Sequence, residues 1–183
     1  MALDLLEFES EDLYFDETVS AEVEKHLDNA AEAYACGAGF SEVSLLRAYF
    51  LAPEHPMVLV ALYRYYYYQH RLEDALLVAE RVLRIFAQRL DLPEDWRELD
   101  ERRIGGGVLI SMTLVRFYML ALKGAGYIEL RLARFQAAIA RLEKVAELDS
   151  NDRLGARALL KLARNALRPH ETDSPKPANC PAL

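Results

Sequence analysis

The sequence predicts an all-α fold of stacked antiparallel helix hairpins, about three pairs closed by a C-terminal capping helix. Three observations predict it. Apolar residues recur at helical spacing through most of residues 19–168, with almost no strand-type alternation. Short stretches rich in glycine, proline or small polar residues interrupt that pattern, as breaks between helices do. The segments EVSLLRAYFLAPEHP, EDALLVAERVLRIF and QAAIARLEKVAELDSND each read as the second helix of a pair, with small or apolar residues at matching offsets.

Taken in order, residues 1–18 are acidic with scattered Leu, Phe and Tyr, and read as a flexible arm. Ser20 caps a first helix running to Ala35. The glycines of CGAGF, Cys36 to Phe40, break it, and Ser41 caps a second helix that stops before Pro53. PEHP, Pro53 to Pro56, is a turn, because the residue before a proline disfavours the helical region. A third helix spans about Met57 to Gln69, QHRL turns the chain, and a fourth spans about Glu73 to Leu90. Asp91 to Gly107 carries a proline, Trp96, a dense charge cluster and three glycines. It reads as an inserted functional or mobile loop, or else as a short extra helical turn followed by a linker. A fifth helix follows over about Val108 to Arg131, a sixth over Phe135 to Leu148, and a last one over Arg153 to Leu167 after a turn at Ser150–Asp152. Residues 169–183 carry four prolines and read as a disordered tail.

At 183 residues the chain fits one domain, and about half of it is apolar. Its formal charge of −7 argues against nucleic acid, whose binders present a basic field. The charge is uneven: residues 1–101 carry a net −14 and residues 102–168 a net +8. That asymmetry reads as two electrostatically different surfaces, or simply as solvated faces of differing composition. The two cysteines, Cys36 and Cys180, have no CxxC or Cys/His neighbourhood, so neither a zinc site nor a disulfide framework is expected. The acidic start of the chain lacks the basic region of a secretory signal, and no apolar run is long enough to cross a membrane. A reducing cytoplasm fits these readings best.

The third unit, GYIELRLARFQAAIARLEKVAELDSND, carries a small residue in its first helix (Gly126), a turn aromatic (Phe135), a packing alanine (Ala138) and an apolar pair (Leu142, Val145). In the second unit Leu59 and Leu62 stand as the leading apolar pair and Ala75 as the packing alanine. In the first, Ala48 and Pro53 are in register. On these residues the chain resembles the tetratricopeptide-repeat family over roughly 20–152, whose units are helix pairs of about 34 residues. Tyr63 departs from the pattern, which has a small residue there, and Ser150 replaces the closing proline. A fainter resemblance lies in YFLAPEHPMVLVALYRYYYYQHRLEDAL and FYMLALKGAGYIELRL, which are similar to small repeat proteins of bacterial nitrogen-fixation gene clusters.

The repeat resemblance implies a concave groove lined by the first helix of each pair. It maps that lining onto Met57, Val60, Arg64, Tyr67 and Tyr68 in the second unit and onto Leu120, Lys123, Tyr127, Leu130 and Arg131 in the third. The expected partner-binding residues are therefore Arg64, Tyr67, Tyr68, Lys123, Tyr127 and Arg131, in a basic, aromatic groove. Arginine and tyrosine bury large rigid area while still donating hydrogen bonds, and three cations suit a carboxylate or an acidic peptide. Within YRYYYY, Tyr63 and Tyr66 are assigned to packing and Tyr67 and Tyr68 to the surface. The acidic arm 1–18 is itself a groove ligand of the right chemistry, in its own chain or in a homodimeric neighbour, as an autoinhibitory or dimerising element. The four histidines are widely separated, and no HExxH, GxSxG or phosphate-binding GxxxxGK[ST] pattern is present, so no catalytic residue, metal or cofactor is expected.

The reading is a protein-binding adaptor or assembly factor. If the nitrogen-fixation resemblance holds, its client is a nitrogenase component or a maturation protein. The alternatives are a secretion-type chaperone, and a small-ligand regulator or enzyme with the Trp96 loop as a lid.

Overall fold

The computed structural model describes residue 15 and residues 17–36 and 41–167. Among them the chain forms α1 (Ala21–Ala35), α2 (Ser41–Leu51), α3 (Pro56–Tyr68), α4 (Leu72–Arg89), a 3₁₀ turn (Trp96–Glu98), α5 (Glu101–Ile110), α6 (Met112–Arg131), α7 (Phe135–Leu148) and α8 (Ala156–Leu167), with no strand. The arm expected over 1–18 lies outside the described residues except for Phe15, Glu17 and Thr18, and the tail expected over 169–183 lies wholly outside them.

Local chemistry sets the helix starts. The Ser20 hydroxyl accepts from the Val23 amide and caps α1. Pro56 occupies the first position of α3, where a missing N–H costs nothing, and His55 Nδ1 accepts from the Met57 amide. The turns after α3 and α6 are the same structure built twice. The Gln69 and Leu132 amides donate to the Tyr65 and Ile128 carbonyls, and Arg71 and Arg134 to Tyr66 and Glu129. His70 and Ala133 sit between them at φ 58° and 57°, in the left-handed region that closes this type of helix end. Each turn then feeds a helix whose fourth residue is a fully buried alanine, Ala75 or Ala138. The repeat is thus present in hydrogen bonds as well as in residue types.

The helices pair as α1/α2, α3/α4 and α6/α7, with α8 closing the array on α7, and α2/α3 and α4/α6 join one hairpin to the next. This is the stacked-hairpin architecture the sequence predicts. Small residues let the third hairpin close: a Cβ at Gly126 would lie 3.1 Å from Leu142 Cγ. The large Tyr63 is accommodated from the other side. Gly124 of α6 faces it, and a Cβ there would stand 2.8 Å from the Tyr63 hydroxyl. A big residue on α3 is thus matched by a missing side chain on α6.

The segment 91–107 differs from the expected inserted loop. Asp100 caps α5 by accepting from the Arg103 amide, and the helix runs through all three glycines to Ile110. The cap and the close seat of Gly107 against Val115 and Leu92 outweigh the weak helix propensity of glycine. The chain then breaks at Ser111, which is extended and caps α6 through Leu114, so the fifth helix expected over 108–131 is two helices. Trp96 is only 7% exposed and belongs to the core with Leu92 and Leu99. Its indole lies 5.1 Å from the Arg141 guanidinium, and Lys144 Nζ holds the Leu99 carbonyl at 3.1 Å. A residue pinned this way is structural, and the expected lid role for the Trp96 loop falls.

Arg141 is buried and binds Glu129 of α6 at 3.1 Å and Glu80 of α4. Arg141→Ala strands the buried Glu129 carboxylate without its partner and is expected to cost about 3 kcal/mol or more in urea unfolding, whereas the half-exposed Glu80 regains water. A second test concerns α3 and α6. Gly124→Ala should destabilise by about 1 kcal/mol, the overpacking outweighing the gain in helix propensity. Tyr63→Phe removes a buried hydroxyl that has no hydrogen-bond partner among the described residues. In that background Gly124→Ala should become neutral or stabilising; persistence of the full loss would show that the contact is not the cause.

Candidate functional site

Because α1 leans on α2 and not closely on α3, an open groove runs between α1 and α3. Its volume is about 700 Å³, within the range of ligand and peptide pockets. The α3 wall presents Met57, Val60, Ala61, Arg64, Tyr65 and Tyr68, spaced by three and four residues along one helical face. The α1 wall presents Leu27, Asp28, Ala31 and Tyr34, and Phe15 adds its ring from the segment before α1. The groove is aromatic and apolar, with one guanidinium and one carboxylate. Arg64 is exposed and has no ion pair among the described residues, whereas Tyr34, Met57 and Tyr68 are 47%, 45% and 40% exposed.

Of the six expected partner-binding residues, Arg64 and Tyr68 line this groove. Tyr67, Tyr127 and Arg131 form an adjoining seam between α3 and α6. The Tyr67 hydroxyl donates to the Tyr127 hydroxyl at 3.3 Å, and Arg131 Nη1 donates to the same oxygen at 3.4 Å. Burial, then the hydrogen bond it donates, pushes the Tyr67 hydroxyl up to about 12. Burial acts in the same direction on Tyr127, but the bonds from Tyr67 and Arg131 leave it below its ordinary value. The seam joins the groove through the Tyr67 and Tyr68 rings, 5.4 Å apart.

Lys123 departs from the expectation. It is 8% exposed and donates from Nζ to the Leu154 carbonyl at 2.9 Å, in the turn between α7 and α8. Burial holds its ammonium below the usual lysine range. The expected triad of cations therefore does not converge: Lys123 serves the cap helix, Arg131 the tyrosine seam, and only Arg64 the groove. Tyr63 and Tyr66 are buried as expected. Sequence reasoning left out the α1 wall, and it counted Phe15 with the acidic arm 1–18 that could dock in the groove. The signal was available, since α1 is itself the first helix of a pair.

Among the described residues no cluster of three or more His, Cys, Asp or Glu is placed to hold a metal ion, and no helix is long and apolar enough to cross a membrane.

The fold and groove define a class, an all-α array of stacked helix hairpins with an open aromatic cleft on its first-helix side. The chain is 49% identical over 158 residues to an uncharacterized 19.8 kDa protein in the nifW 5′ region of Azotobacter chroococcum mcd 1, covering 86% of this chain and 87% of that one. The chain belongs to the family of that protein. No family model matches the chain, and no solved structure matches it.

The two cations make opposite predictions. Lys123→Glu sets a carboxylate against the Leu154 carbonyl and should cost about 3 kcal/mol or more in urea unfolding. Arg64→Glu changes an exposed charge and should stay within about 0.5 kcal/mol.

Proposed function

We propose that the chain is a protein-binding adaptor or assembly factor that holds a segment of a client protein in the α1–α3 groove, in the manner of tetratricopeptide arrays. The observation that carries this reading is the groove wall itself. It combines exposed tyrosines, a methionine and a guanidinium with no ion pair among the described residues, the residue types that supply most of the binding energy at protein interfaces. Arg64 favours a client segment bearing a carboxylate beside an aromatic or aliphatic side chain. Aromatic rings line the groove from several elements, Tyr34 from α1, Tyr65 and Tyr68 from α3, and Phe15 from the segment before α1. Such a wall suits a helix or an extended peptide laid lengthwise.

The relative in the nifW 5′ region supports placing this role in nitrogen fixation, with a nitrogenase component or one of its maturation proteins as client. The test is affinity purification from nitrogen-fixing cells with the tagged chain and an Arg64→Glu/Tyr68→Ala variant. The expected result is a stoichiometric nitrogenase or maturation protein whose recovery falls at least about tenfold in the variant, a loss of ~1.4 kcal/mol or more. Recovery of an exported protein would favour the secretion-chaperone reading. A bound small molecule with no protein would favour the ligand-binding regulator.

A further inference from the structure

The approach to α1 is tied down more firmly than a leader into a first helix requires. The Glu17 carboxylate binds Arg89 of α4 at 2.7 Å, and Arg89 also reaches the Glu54 carbonyl. His55 Nδ1 accepts from the Met57 amide, so its other ring nitrogen carries the proton and donates to the Glu17 carbonyl at 3.2 Å. Two residues before Glu17, the Phe15 ring meets Phe117 of α6 edge-on at 5.2 Å and lines the groove. Three separate contacts, from the His55 cap of α3, from α4 and from α6, thus bring the chain to the groove from the N-terminal side.

We infer that residues 1–14 of this same chain are the groove's resident ligand, continuing from Phe15 along the α3 wall and covering it until a client displaces them. Reach is ample. Fourteen residues extend to roughly 45 Å, whereas the thirteen residues of α3 rise about 20 Å, so part of the segment suffices. Chemistry matches as well. Residues 1–14 contain five carboxylates and no lysine or arginine, together with Leu5, Leu6, Phe8, Leu13 and Tyr14. Those carboxylates complement Arg64, and the apolar side chains complement Met57, Tyr65 and Tyr68. The one carboxylate in the groove lining, Asp28, stands on the α1 wall, so the acidic segment is favoured along the α3 wall, where Arg64 lies. Tethering by Phe15 and Glu17 makes the docking intramolecular, so even weak contacts hold the segment at a high effective concentration.

The inference takes the groove as the recognition surface, as above, but its test needs no client and therefore fails or succeeds independently of the client's identity. The full chain is prepared with a photo-crosslinking p-benzoylphenylalanine in place of Phe8 and irradiated as a dilute monomer. The expected product is an intramolecular crosslink to Met57, Tyr65 or Tyr68, reduced at least about fivefold by Arg64→Glu, with Trp96 fluorescence unchanged as the control for folding. Crosslinks between two chains would overturn the inference in favour of exchange between copies. Crosslinks scattered over the surface, absent crosslinks, or a yield indifferent to Arg64→Glu would overturn it outright.

Discussion

The array depends on one buried guanidinium. Arg141 of α7 binds Glu129 of α6 within its own hairpin and Glu80 of α4 in the preceding one, and it lies near the Trp96 indole. A buried charge is tolerated only when opposite charges surround it, so this group admits very few relative placements of the three helices. Burial pushes the Glu129 carboxyl above its ordinary value while Arg141 pulls the other way. Apolar contacts set the same register, since Leu142 seats against Gly126, but they lack the charge requirement.

Around that junction the fold reuses a small vocabulary. One helix-ending turn, with a left-handed residue at His70 or Ala133 and a buried alanine four residues into the next helix, serves two hairpins. The exchange of size between Tyr63 and Gly124 keeps α3 and α6 close despite a residue too large for the usual pattern. The same tightness is missing between α1 and α3, and that gap is the groove. The candidate groove lies where the first hairpin joins the second mainly through α2, so that α1 and α3 face each other with the Tyr34 and Tyr65 rings 6.5 Å apart.

This geometry joins the two functional ideas. A cleft of exposed tyrosines beside an arginine without an ion pair among the described residues would suit an acidic, apolar segment, and residues 1–14 have that composition. A client would then compete with a tethered ligand of the same character. Selectivity would rest on how much more of the groove, or of the tyrosine seam beside it, the client engages.

Much was legible before any coordinates. Helix positions followed from local causes: a serine cap at Ser20, a proline at Pro56, breaks after Tyr68 and Arg131. The burial of Tyr63 and Tyr66 was assigned from the tyrosine run itself, whereas the packing roles of Ala75, Ala138 and Gly126 and the groove placement of Arg64 and Tyr68 came from the resemblance to the tetratricopeptide pattern. Three features did not. The helix through Gly105–Gly107 needed a cap at Asp100 and a tertiary seat for Gly107, and glycine-rich composition argues the other way. Trp96 looked like part of a loop because the residues that pin its segment, Arg141 at the indole and Lys144 at the Leu99 carbonyl, lie 45 residues along the chain from the groups they hold. Lys123 is at a groove-facing position of a single helix, yet the α7–α8 turn offers its ammonium a carbonyl and closes over it. Sequence thus determined what each helix is and which face it buries, since those depend on neighbours three or four residues away. Which cations share a surface depends on how separate helices meet, and only the tertiary structure decided that.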